Sequence, residues 1–214
     1  MAYGTCMNKC AFIVILMSLF IISCGCLSVP FAQPAPSPTP EVTVQPTTAN
    51  PVSMSAPSEL ALQLADIPGD YILKERSDIP YTKTTQIARD LGWRQGYMVT
   101  FYRINAAKYD MTGLRQIIEL YPLANMNKVF DMAKEAMNLQ ADSGQVTQNE
   151  LPIEKIGDKS IAYVTENTSA PMRLPVYTIL FVKKDVFEKL EMSGTTTDFE
   201  TLKNLARIAA DIIQ

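Results

Sequence analysis

The chain has 214 residues, 47% of them hydrophobic and 19% charged, with a formal net charge of -3 and no histidine. Lack of imidazole removes the Ser-His-Asp and Cys-His nucleophile systems and nearly every zinc site built on His; and because Cys6, Cys10, Cys24 and Cys26 are the only cysteines, the body of the protein has no disulfide, thiol nucleophile or thiolate metal site. A mildly acidic chain without a basic cluster also lacks the electrostatic footprint of a nucleic-acid binder.

Lys9 is the only charge before Glu41, and an apolar run from Cys10 to Ser23 follows it, the arrangement of an export signal. Its end, Ile21-Ile22-Ser23-Cys24, resembles the lipobox of prokaryotic lipoprotein signal peptides, which implies lipidation of Cys24. Cys26 is the second choice, since it would put Ser23 where a lipobox carries an aliphatic residue. The stretch from Cys10 to Val29 also has the ~20 uncharged residues of an uncleaved membrane anchor. Under either reading the Lys9 end stays inside and the rest is exported, so the expected location is the outer face of the cytoplasmic membrane. Residues 1–26 are thus read as signal or anchor, and residues 27–58 as a disordered spacer. From Pro30 to Ser58 the chain has eight of its 14 prolines, no glycine and one charge. It cannot bury a core and should extend by ~3.1 Å per residue where it is stiff.

Residues 59–214 are read as one domain. Ser58 is the expected cap of a short apolar helix, Glu59 to Ala65, which stops at the Ile67-Pro68-Gly69 turn. Tyr71 to Glu75 reads as a strand, and Thr84 as the cap of a helix to Leu91 with Gly92 as its stop. Trp93 to Ile104 alternates in the manner of a strand, with Trp93, Tyr97, Val99 and Phe101 on one face. Leu114 to Tyr121 returns to make a hairpin. Asn127 is the expected cap of a helix to about Gln140, after which a polar stretch leads to Leu151-Pro152. Three strands follow, at Ser160 to Thr165, Leu174 to Val182 and Val186 to Met192. Thr197-Asp-Phe-Glu200 reads as a capping box opening a final helix whose buried stripe includes Phe199, Leu202, Leu205, Ala206, Ala209 and Ile212. Val176 to Val182 is apolar on both faces, as a central strand covered on both sides would be. The fold class is therefore α+β, a largely antiparallel sheet flanked by helices on both faces.

The element order, together with Ile156-Gly157-Asp158-Lys-Ser160-Ile-Ala-Tyr163, resembles the PsbP-like α/β/α sandwich of prokaryotic envelope lipoproteins over about Asp66 to Gln214. The resemblance implies a binding or assembly factor and carries no catalytic residues with it.

The residues themselves offer few sites. Asp66 and Asp70 flank a Pro-Gly turn and are read as satisfying turn amides, so no metal and no cofactor is expected. Trp93, the only tryptophan, could line an apolar pocket with Tyr97 and Phe101. The opposite face of that strand, Met98, Thr100 and Tyr102, should join Ile117 and Tyr121 and is the favoured binding surface, because Tyr and Met are enriched at interfaces. Asn167-Thr168-Ser169 is an N-glycosylation sequon. The expected partners are the membrane, through the anchor, and an envelope protein or small apolar ligand, with no nucleic acid. The expected function is that of a non-catalytic binding or assembly module, the alternative being a small carboxylate-based hydrolase acting on envelope polymer.

Overall fold

The computed structural model describes residues 55–108, 110–142, 144–168 and 174–214. Cys24, Cys26, the apolar run and nearly all of the proline-rich stretch lie outside them. Among the described residues no helix is long and apolar enough to cross a membrane.

Seven strands form one antiparallel sheet: β1 (Ile72–Asp78), β2 (Gln95–Asn105), β3 (Asp110–Leu120), β4 (Val146–Leu151), β5 (Lys159–Asn167), β6 (Pro175–Lys183) and β7 (Val186–Gly194), in the order β1-β2-β3-β7-β6-β5-β4. Two meanders, β1 to β3 and β4 to β7, thus meet at one seam where Leu114 pairs with Met192 and Ile118 with Glu188. Helices α1 (Gln86–Asp90) and α2 (Met126–Asp142) belong with one face of the sheet and α3 (Phe199–Ile212) with the other. The expected α+β class with helices on both faces is the observed one.

Each face has its own core. On the α3 side, Val99, Phe101, Leu114 and Ile118 of the first meander join Ile179, Phe181, Leu190 and Met192 of the second beneath Leu202, Leu205, Ala206 and Ala209. The first meander is roofed there by Leu60, Ala61 and Leu62, three consecutive buried residues. This segment is not the expected helix. It consists of 3-10 turns at Pro57–Glu59 and Leu64–Asp66 with the leucines between them, because burying three residues in a row suits an irregular segment laid flat rather than a helix with one apolar stripe. Leu62 N–H donates to Gln116 Oε1 at 2.9 Å, and Gln116 Nε2 donates to Glu188 Oε2 at 2.7 Å. Glu188 is wholly buried, its other oxygen has no partner among the described residues, and burial pushes its carboxyl up to about 8.

Several element boundaries differ from expectation for local reasons. Thr85, not Thr84, caps α1, its hydroxyl accepting from Ala88 N–H at 3.2 Å. Asn127 is no cap: a 3-10 turn at Leu123–Asn125 leads into α2, and Asn125 instead donates to the Leu91 carbonyl at 3.0 Å. The α3 cap is Asp198, which accepts from Glu200 and Thr201 N–H and from the Thr201 hydroxyl. The Thr201 bond is the main reason that its carboxyl sits below the usual range. Strand β4 falls where a polar stretch was expected, since an edge strand with one exposed side carries few apolar residues. Gly157 has φ 64°, and a Cβ there would lie 2.5 Å from the Val182 carbonyl oxygen. The next residue, Asp158, gives its N–H to that same carbonyl and accepts from Lys184 N–H, so the Gly-Asp phrase seals the β6–β7 turn.

Candidate functional site

The two faces of the sheet are covered unequally. On the α2 side, α2 packs on β4, β6 and β7, whereas the same side of β1, β2 and the outer part of β3 has no described helix upon it. The register carries one row of side chains across this open area: Ser77 faces Met98, Met98 faces Ile117, and Ile117 faces Lys189. In the row beyond Thr100, Ile72 faces Tyr102 and Tyr102 faces Gly113, and further out Ile104 faces Met111. Ile72, Ile104 and Met111 are 56, 57 and 54% exposed, while Met98, Tyr102 and Ile117 are half-buried. A Cβ at Gly113 would lie 2.9 Å from the Tyr102 ring, so the ring lies over the glycine. Arg115 and Glu191 bound the patch with a 3.9 Å ion pair, and Arg115 Nε also approaches the Met98 sulfur at 3.3 Å.

The five aromatic and methionine residues singled out as binding candidates on the first hairpin are divided among three places. Met98 and Tyr102 lie on the open face. Tyr97 points to the other side of the sheet and packs on the α3-side core. Trp93 lies just before β2, so strand alternation does not govern it. It joins the α2-side core with Tyr121, and not the Tyr97, Val99 and Phe101 side. Tyr121 is fully buried, which removes it from any exposed surface. Its carbonyl accepts from Arg94 at 2.6 Å, and the same guanidinium nitrogen pairs with buried Asp185 at 2.7 Å. Asn167 ends β5 on the exposed side, while the sequon's Ser169 lies outside the described residues. Asp66 accepts from Gln63 N–H at 2.7 Å, closing the 3-10 turn at Leu64–Asp66 and not the Pro-Gly turn that follows it, and among the described residues no group of three or more acidic side chains is arranged to hold a metal ion.

Trp93 and Tyr121 converge on a residue that the sequence reading passed over, Glu119. The indole N–H donates to Glu119 Oε1 and the phenol to Glu119 Oε2, both at 3.1 Å. Burial raises the Glu119 carboxyl, opposed by these two bonds and by Lys189; burial and the neighbouring carboxylate together raise the Tyr121 phenol. The available signal was Glu119-Leu120-Tyr121, an acid two residues from an aromatic and so on its side of the strand. Glu119 lies in the floor of a groove of about 410 Å³ between the segment leading into α1 and helix α2. Thr84 and Ala88 form one wall, Met132, Ala136 and Met137 the other. Glu119 is the only carboxyl among the residues lining this groove, and Glu188 points to the opposite core, so the pair of carboxyls that a hydrolase of the glycosidase kind needs does not meet here.

No protein-family model matches the chain, and no curated protein matches it in sequence. Among solved structures, the extracellular domain of PknH from Mycobacterium tuberculosis aligns with a TM-score of 0.50 and 11% identity, over 77% of this chain and 98% of that one. The Rv0999 ortholog from Mycobacterium smegmatis aligns with a TM-score of 0.42 and 9% identity, over 74% and 96%. At such identity the PknH likeness speaks for the fold alone, and neither match names a PsbP-like domain.

Proposed function

We propose that the chain is a membrane-tethered extracytoplasmic binding or assembly module that engages an envelope protein through the open face of its first meander. One observation carries the reading: apolar side chains on β1, β2 and β3, among them Ile72, Met98, Tyr102, Ile104 and Met111, gather on a sheet face with no helix over it among the described residues. Monomeric domains rarely leave such a patch without a use, and Tyr and Met are the residue types that interfaces favour. Export is supported by the Lys9 and apolar-run pattern, and by the extracellular origin of the PknH domain whose fold is similar. Attachment to the outer face of the membrane rests on Cys24, with Cys26 as second choice.

Two experiments test this. A photo-crosslinking residue at position 102 in the full chain, in membranes, should give an adduct of defined mass that Met98→Lys abolishes while the domain stays protease-resistant. The same label on the exposed side of α3, at Asp211, should give none. Equal adducts from both positions, or loss of fold with Met98→Lys, would sink the hairpin assignment. For the anchor, Cys24→Ser with Cys26→Ser should release or misprocess the protein; unchanged membrane partition and mass leave only the uncleaved helix.

A further inference from the structure

The groove between the α1 segment and α2 is a separate concavity from the open hairpin face, and its lining has a definite polarity. Its apolar part is formed by Met132, Ala136 and Met137 against Leu180 and Phe187. Thioether side chains adapt to flexible apolar ligands, and about 410 Å³ lies within the ~300–1,000 Å³ range of small-molecule sites. At its α1 end stand Lys83 and Thr84. Thr84 is 8% exposed and its hydroxyl has no hydrogen-bond partner among the described residues, a deficiency that folded proteins rarely leave uncorrected and that a ligand acceptor would remove. The Lys83 ammonium is exposed, with no acidic partner among the described residues. The second lining cation, Lys189, is held by Glu191 at 2.7 Å.

We propose that this groove binds a long-chain fatty acid, its carboxylate at Lys83 and Thr84 and its hydrocarbon along Met132, Ala136 and Met137. An amine head group fits less well. The one lining carboxyl, Glu119, already accepts from Trp93 on one oxygen and Tyr121 on the other and has the Lys189 cation near it, so a second cation there would face Lys189. Burial also favours its neutral form, which lessens its repulsion of an anion. A carboxylate at the α1 end would accept from the buried Thr84 hydroxyl and from Lys83, a charge-assisted pair in a partly dry setting. The site is distinct from the hairpin reading, because Ile72, Met98, Tyr102, Ile104 and Met111 of the open face are not among the residues that line it.

The test uses the full chain in membranes and a dodecanoate with a terminal diazirine, photo-crosslinked and mapped by peptide mass. The expected label lies on α2 within Met132 to Met137, competed by unlabelled dodecanoate and about tenfold less well by dodecanol. Lys83→Glu should cut labelling about tenfold, and Ala136→Phe, at an exposed position in the groove wall, should abolish it with protease resistance retained. Met98→Lys should leave it unchanged. Absence of label on α2, equal competition by dodecanol, or indifference to Lys83→Glu overturns the proposal. Stronger competition by dodecyl phosphate than by dodecanoate overturns the fatty-acid assignment, and a matching loss with Met98→Lys overturns the groove.

Discussion

The two meanders of the sheet are built from similar strands and treated differently by their surroundings. In the β4–β7 meander, β6 is buried without interruption from Thr178 to Val182, because α2 lies on one side and α3 on the other. In the β1–β3 meander, burial alternates along β3, with Leu114, Gln116, Ile118 and Leu120 inside and Arg115, Ile117 and Glu119 less so. The second meander is covered by a helix on each face, and part of the first has no described helix on its α2 side. Apolar content alone does not separate them: Ile104 and Met111 are as hydrophobic as any core residue and more than half exposed. What separates them is the reach of a single helix, since α2 packs on β4, β6 and β7 and its axis ends the cover there.

The largest test of this contrast is truncation in the twice-covered half. Leu180→Ala removes a side chain 1% exposed and should cost about 2–5 kcal/mol, read as a lower urea midpoint followed by Trp93 fluorescence. A loss under about 1 kcal/mol would mean that the second meander is not packed as core. An effect of comparable size, spread over several pH units, is expected at the seam. The Glu188 carboxyl titrates at about 8 in the fold against an ordinary value of 4.5, so between those values the folded form holds more protons than the unfolded chain. Stability should therefore fall as pH rises through this window, by at most about 1.4 kcal/mol per pH unit. Glu188→Gln should flatten that slope and raise stability at pH 8 relative to the parent; an unchanged slope would show that another group sets it. The smallest effect is expected on the open face, where Ile104→Ser and Met111→Ser should leave stability within about 0.5 kcal/mol of the parent. A drop of 2 kcal/mol or more at either position, a size typical of core truncation, would show that this face is core.

The contrast was partly legible in the sequence. Val176 to Val182 announces a doubly covered strand, and the alternation of β2 from Tyr97 to Phe101 announces a strand with two unlike faces. Met98 and Tyr102 could be assigned to one face by parity alone. Parity failed at Trp93, because the chain bends before Gln95 and the indole turns to the other core. For Tyr121 parity gave the right face but not its burial: the ring joins the α2-side core, and its backbone is held by Arg94 and Asp185 from distant parts of the chain. The groove was not legible at all. Its walls come from α1 and α2 and its floor from β3, β6 and β7, and nothing in local sequence says that Thr84 and Met137 will face each other across it.

The stitch from Leu62 through Gln116 to Glu188 has a mechanical consequence. Any load applied to the chain ahead of Ser55 arrives first at Pro57–Glu59, which packs on β2 and β3, and then at Leu60–Leu62, which roofs the sheet without belonging to its ladders. None of this segment's residues takes part in the pairing of the seven strands, so its detachment would break no ladder. Peeling would let water reach the Glu188 carboxyl, whose acidity would then rise toward that of a free side chain, and at neutral pH the step would release a proton. Tension and alkaline pH therefore push the same detachment, and the force needed to open the roof should decline as pH rises from 5 to about 8.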